Sequence, residues 1–242
     1  GIVHTAELVK LMGVSSETIR KDLEYLDSQG RLSRVHGGAV PADSGKPADI
    51  PGGYISLQIR NSQNLEQKAA ITAKAAGLVS EGQVIALDYG STSQMMALVL
   101  KERFRSLTVV TNSIQNALML AENPGITIIL TGGILNRGEY TLGNEFSSTL
   151  ESIHIDIMFM TVTGIDPVIG CTDQRLSEIR IQNQMHRSAT RTIVLADSTK
   201  FGKASLLKIC PFEEVDTIVT DSGISPQMES RIRGAGAKLI IA

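Results

Sequence analysis

Tryptophan is absent, and only four tyrosines and five phenylalanines are spread over 242 residues, so any core must be aliphatic. Cysteine is equally scarce. Cys171 and Cys210 stand far apart without metal-ligand neighbours. That arrangement gives no disulfide framework and no metal site, fits a reducing compartment, and makes the two thiols packing residues. No stretch approaches the ~18 consecutive apolar residues of a membrane span. No secretory leader is visible and the chain does not begin with Met, so a cytoplasmic protein with a trimmed start is expected. A strong charge of either sign is also missing: 23 Lys and Arg stand against 25 Asp and Glu, a net charge of −2.

What is present is an ordinary apolar content of 42%, laid out as many separate Val, Ile and Leu runs. There is no internal repeat. Residues 1–40 read as short helices followed by a Gly-containing hairpin. Residues 41–53, "PADSGKPADIPGG", are rich in Pro, Gly, Ala and Asp without periodicity, and read as a linker. From residue 54 to 242, strand signals (84–88, 107–111, 126–130, 155–162, 192–196, 216–220, 237–241) alternate with helical stretches. Alternation of this kind predicts an open, mainly parallel α/β sheet. Its ligands should sit beyond the carboxyl ends of the strands.

In the opening segment, Ala6, Leu8, Val9 and Leu11 predict an apolar stripe on a short helix that stops at Gly13. Ser15 is placed as an N-cap, and Ile19, Leu23 and Leu26 then recur at helical spacing. This is a helix-turn-helix pattern, whose second helix enters the major groove by its N-terminal end. Ser16, Glu17, Thr18, Arg20 and Lys21 are the residues it would present to DNA. "GRLSRVHGGAV" (30–40) reads as a wing that adds Arg31, Arg34 and His36. A plain surface helix of a small α-domain is the rival reading. The segment 1–40 holds five basic and five acidic residues, so its net charge is zero. Operator binding must then come from placement and from two copies acting together, which predicts at least a dimer. A two-helix remnant cannot close a core, so one or more helical turns are expected to be missing before residue 5.

In the larger segment, "ALDYGSTSQ" has the features of an anion loop. A strand ends at Asp88, Gly90 allows close backbone approach, and Ser91, Thr92 and Ser93 open a helix whose positive end favours phosphate. It is neither a Walker motif nor a dinucleotide fingerprint. A plain strand-to-helix turn is the alternative, but similar bends recur at Thr111-Asn112-Ser113 and at Gly132-Gly133. In a parallel sheet these loops share one edge. "TVTGID" brings Gly164 and Asp166 to that edge, and Asp88, Asp166 and Glu178 are candidate acceptors for sugar hydroxyls.

These motifs together resemble the DeoR family of bacterial transcriptional regulators. "ELVKLMGVSSETIRKDLEYLDSQGRLSRVHGGAV" carries the likeness at the start, and "LDYGSTS", "TVVTNS", "TGG", "GID" and "LADSTKFG" carry it onward. The resemblance implies a winged helix joined to a sugar-phosphate sensor similar in fold to ribose-5-phosphate isomerase. It implies repression of a carbohydrate operon, relieved by a phosphorylated sugar or polyol. It also implies that Lys200, otherwise a solvated loop lysine, closes on the phosphate. One departure stands out: Gln182 occupies a helix position where the family usually has Lys. The rival class is an aldose–ketose isomerase, which needs a base and a cation beside its carbonyl. Residues 155–199 contain no Lys, so no catalytic residue and no cofactor is assigned. A third class, an interaction module with a degenerate pocket, would bind no sugar phosphate.

Overall fold

The computed structural model describes residues 3–29, 31–35, 37–41, 55–143 and 148–242. Gly30 and His36 of the expected wing and residues 42–53 of the expected linker lie outside the described residues. The chain divides into two compact units, Gly1–Gln58 and Ile59–Ala242.

The first unit runs β1 (Val3–His4), α1 (Thr5–Met12), α2 (Ser16–Ser28), β2 (Leu32–Val35) and β3 (Gly38–Pro41). Its three strands form an antiparallel sheet in the order β1-β3-β2. Gly13 ends α1 in the left-handed region, at φ 67°, with its N–H on the Val9 carbonyl at 2.9 Å. The Ser15 hydroxyl caps α2 by accepting from the Thr18 N–H at 3.1 Å. Ile19, Leu23 and Ala39 form the small core, with Leu8, Val9 and Leu32 against it. The expected stripe on α1 needs correction. Ala6 is exposed and Leu11 is 83% exposed, because so short a helix turns only the Leu8–Val9 line inward.

A short helix α3 (Leu57–Arg60) crosses the division between the units. The second unit continues with α4 (Leu65–Ala76), β4 (Val84–Leu87), α5 (Ser91–Arg103), β5 (Leu107–Thr111), α6 (Ile114–Leu120) and β6 (Ile126–Leu130). After a hairpin of β7 (Ile134–Asn136) and β8 (Thr141–Gly143) comes β9 (Ile155–Thr161). A second hairpin, β10 (Gly164–Asp166) and β11 (Gly170–Asp173), precedes α7 (Ile179–Ser188), β12 (Ala189–Leu195) and β13 (Leu207–Cys210). The chain closes with β14 (Thr217–Thr220), α8 (Pro226–Gly234) and β15 (Lys238–Ile241).

Seven strands form one parallel sheet in the order β15-β14-β12-β9-β4-β5-β6. Successive strand residues alternate between two cores. Ala86, Met158, Met160 and Val194 face one, while Ile85, Leu87, Ile157, Phe159 and Ile193 face the other. Both faces are therefore covered, which is why the strands read as unbroken apolar runs. The chain builds β4, β5 and β6 in one direction, then returns to β9 on the other side of β4. The order reverses between β4 and β9, and in open α/β sheets the carboxyl ends at such a reversal are where ligands bind.

β10, β11 and β13 make a separate antiparallel sheet in which Cys171 lies directly opposite Cys210. Both thiols are free and buried, and the neighbouring Cys210 together with burial pushes the Cys171 thiol up, so the pair packs as two thiols.

Candidate functional site

In the first unit, Ser16, Glu17, Thr18, Arg20 and Lys21 are exposed along the start of α2, whereas Ile19 between them is buried. A helix with one face in a core must leave the intervening positions in solvent. Arg31 and Arg34 are exposed on the strand side. Arg34 also bridges to Glu24 at 3.2 Å, and its backbone N–H reaches Asp27 at 3.2 Å. An exposed pair of this kind is weak and exchangeable.

In the second unit, the reversal point gathers the polar residues. Gly90 has φ 109° and opens α5. The N–H groups of Ser91, Thr92 and Ser93 form the first turn, where no intrahelical acceptor exists. A Cβ at Gly90 would stand 3.2 Å from the Arg60 guanidinium and 3.4 Å from the Thr161 hydroxyl. An arginine thus sits beside the positive end of α5. Arg60 pairs with the carboxylate of Glu139, which also accepts from Arg175 at 2.6 Å. The Arg175 guanidinium lies 4.0 Å from the Tyr89 ring centroid and 3.4 Å from Asp173. Burial first, and the Arg175 charge after it, lower the pKa of Arg60.

Lys68 is buried, and its ammonium donates to the carbonyls of Arg60 at 2.5 Å and Gln63 at 2.6 Å. It holds the turn that carries Arg60. Burial lowers its pKa to about 8; Asp197 opposes this, and Lys200 and Arg60 add to it. Lys200 is lowered in the same way, by burial first and with Arg60 among the repelling charges. Four cations are therefore held against one another beside a helix N-terminus.

Several expected ligand contacts turn out to be internal struts. Asp88 is buried at the end of β4. Its carboxylate accepts from the Thr161 N–H at 2.6 Å, the Thr161 hydroxyl at 3.1 Å and the Gln182 amide at 2.9 Å. Burial raises its pKa to about 8 despite those bonds. Gln182, where the resemblance expects Lys, also donates to the Thr161 carbonyl at 2.9 Å. Glu178 is buried and accepts from Asn136 at 2.8 Å, Thr141 at 2.7 Å and the Ser177 hydroxyl, tying the β7–β8 hairpin to α7.

Asp166 is corrected too. Its carboxylate accepts from the Val168 and Ile169 N–H groups at 2.9 and 3.0 Å, closing the β10–β11 turn, and it bonds to no residue at the reversal point. Gly164 serves packing, since a Cβ there would stand 2.5 Å from the Lys203 carbonyl oxygen.

Ser93 donates to the Asp88 carbonyl at 2.7 Å, and Ser113 caps α6 by accepting from Asn116 at 3.2 Å. Thr111 accepts from the Ser113 N–H, and the Asn112 amide reaches the Leu142 carbonyl at 3.2 Å. Gly132 and Gly133 follow β6; Gly133 passes against Gly143, and a Cβ at Gly132 would meet nothing within 4 Å. Among the described residues, the hydroxyls of Ser91 and Thr92 have no protein partner. Sequence reasoning missed Arg60, Lys68, Glu139 and Asp173, gave Arg175 no part in the site, and quoted Thr161 only as the first residue of "TVTGID". Apart from Thr161, none lies in a motif quoted above. The only available signal was a cluster of charges flanking the Gly90 and Gly164 loops.

A helix-turn-helix with a solvent-facing second helix, followed by a parallel sheet with a cluster of cations at its reversal point, defines a DNA-binding regulator with its own sensor. Comparison with known proteins agrees. The family model for the DeoR-like helix-turn-helix domain matches residues 1–45, and that for the DeoR C terminal sensor domain matches residues 63–222. The chain belongs to the DeoR family of transcriptional regulators. The HTH-type transcriptional regulator GolR of Listeria innocua is 35% identical over 99% of this chain and 92% of its own length. A candidate aga operon transcriptional repressor of Escherichia coli O157:H7 is 32% identical over 100% of this chain and 88% of its own. The L-fucose operon activator of Haemophilus influenzae is 32% identical over 95% and 89%. Among solved structures, a D-ribose-5-phosphate isomerase in complex with phospho-erythronic acid is similar at TM-score 0.44 and 21% identity. That likeness covers 56% of this chain and 53% of the isomerase, about half its length.

Proposed function

We propose that this regulator represses a carbohydrate operon in the cytoplasm and is released by a phosphorylated sugar or polyol. Operator reading is assigned to residues 1–40, through Ser16, Glu17, Thr18, Arg20, Lys21, Arg31 and Arg34, and sensing to residues 54–242. The observation that carries the sensing role is the Arg60 guanidinium beside Gly90 at the N-terminus of α5. Donors of the first helical turn and crowded cations together form a seat for a dianion. A phosphate would add a counter-charge beside Arg60, Lys68 and Lys200, each of which has other cations among its near neighbours.

Effector binding favours a state with low operator affinity by the ratio of its affinities for the two states. The head has no surplus charge, so a homo-oligomer, at least a dimer, supplies the second DNA contact. An isomerase is disfavoured because the buried carboxylates of Asp88 and Glu178 are already engaged by protein donors. Titration calorimetry of the full chain with matched phosphorylated and unphosphorylated sugars tests the seat. Phosphorylated members should bind and their unphosphorylated partners should not. Equal binding of both, or conversion of ribose 5-phosphate to its ketose, overturns the reading.

A further inference from the structure

Buried polar atoms without partners mark where a ligand's own groups belong, because each costs free energy until something bonds to it. Three such atoms lie around the seat. Asp173, 1% exposed at the end of β11, spends one carboxylate oxygen on the Gln174 N–H at 2.6 Å, the Arg175 N–H at 3.2 Å and Arg175 Nε at 3.4 Å. Its other oxygen, Oδ2, has no donor. The Tyr89 hydroxyl, on a 1% exposed ring under Arg175, has no partner either. Gln182 commits its amide nitrogen to Asp88 and Thr161, and its Oε1 is left unpaired.

The three belong to one neighbourhood. Arg175 lies 4.0 Å from the Tyr89 ring centroid and bonds Asp173 through Nε, and Gln182 bonds to Asp88, the residue before Tyr89, at 2.9 Å. Tyr89 does not satisfy Asp173, since both atoms remain unpaired. Two of the three atoms only accept hydrogen bonds, and one of these carries charge. A lysine at position 182 would offer donors; the amide offers an acceptor instead. The neighbourhood is therefore built for a group that donates. A second anionic group brings only acceptors, so it would leave both Asp173 Oδ2 and Gln182 Oε1 without a donor and be selected against.

Resting on the phosphate seat described above, we infer that the effector carries one anionic end only. Its far end is a hydroxyl-bearing carbon chain that donates to Asp173 Oδ2 and Gln182 Oε1 and meets the Tyr89 hydroxyl. Phosphorylated sugars and alditols fit; phosphorylated sugar acids and bisphosphates do not.

Titration calorimetry on the full chain tests this with inorganic phosphate and with pairs of alditol and aldonate phosphates of three to six carbons. At least one alditol phosphate should bind about tenfold tighter than inorganic phosphate, and no aldonate phosphate should. Tyr89→Phe removes no protein hydrogen bond. It should weaken the alditol phosphate several-fold while leaving inorganic phosphate binding and the melting temperature unchanged. Asp173→Asn keeps the acceptor used by the backbone and puts a donor in place of Oδ2, so it should narrow or reverse the preference. Inorganic phosphate binding without discrimination between pair members, or with discrimination untouched by Tyr89→Phe, overturns the inference and leaves the seat intact. Failure of every phosphate to bind overturns the seat, and the inference with it.

Discussion

The two units place their polar residues in opposite ways. Among the described residues, the head's small core is Ile19, Leu23 and Ala39, while Ser16, Thr18, Arg20, Lys21, Arg31 and Arg34 are exposed. The sensor buries two extended aliphatic cores and, between strand ends, a set of charges including Asp88, Glu139, Asp173, Arg175 and Glu178. DNA is a large exposed polyanion, so its reader can work from a surface. A small metabolite offers few contacts, so its receptor must remove water and aim each charge, which needs a thick scaffold. The contrast also separates the risks: the head can be lost by one core mutation, while the sensor can be silenced without unfolding.

The first way to break the comparison is Ile19→Ala. Truncating the centre of so small a core should cost about 2–4 kcal/mol. Calorimetry should show the head's transition collapsing while the sensor's stays in place; a parallel fall of both would mean that the units do not melt separately. Next comes Gly90→Val. It forces a side chain into the position 3.2 Å from Arg60 and strains a backbone at φ 109°. Effector binding should fall by at least about a hundredfold, the loss of two charge-assisted bonds, with operator affinity retained. Loss of operator binding as well would point to damage beyond the seat.

A smaller effect is expected for Asp88→Asn. The folded protein holds this carboxyl's pKa at about 8, above its ordinary 3.8, because burial disfavours the charge. Between those values the folded state keeps a proton that the unfolded state has lost, so stability falls as pH rises through that window. Asn has no proton to lose. The variant's stability should therefore be flatter from pH 5 to 8 by up to about one proton of slope, measured by urea unfolding at each pH. An unchanged slope would assign the titration elsewhere. The smallest effects belong to the head's surface. Arg20→Ala and Lys21→Ala should each reduce the salt dependence of operator binding by about one counterion. A salt slope unaltered by both would remove these residues from the DNA contact.

All seven strands of the large sheet were legible in the sequence; a strand covered on both faces must be apolar throughout, as in "VIAL" and "TIVLA", and the edge strand "ITIIL" is apolar enough to read the same way. The small strands were not. "GCTD" and "LKIC" show no alternation, and they pair only because the chain folds back between positions 171 and 210. The helix-turn-helix was legible because Gly13, Ser15 and Ile19 act on near neighbours. In the sensor, the loop at Gly90 could be read for the same local reason. Arg60, Glu139, Asp173 and Arg175 could not, since Arg60 and Arg175 meet at Glu139 from 79 and 36 residues away along the chain. Asp88 and Asp166 show what a strand-end carboxylate does not reveal in sequence: one accepts from Thr161 and Gln182, and the other closes a turn onto the Val168 and Ile169 N–H groups.

The decisive experiment is fluorescence anisotropy of a labelled operator, titrated with phosphorylated sugars and alditols in the presence of the unaltered chain or of Arg60→Ala. Both proteins should hold the operator equally well before effector is added. The unaltered chain should release it, and the variant should need about tenfold more effector or beyond to do so. Identical release curves for the two proteins, or an operator grip indifferent to every phosphorylated compound, would contradict the link between the anion seat and DNA binding.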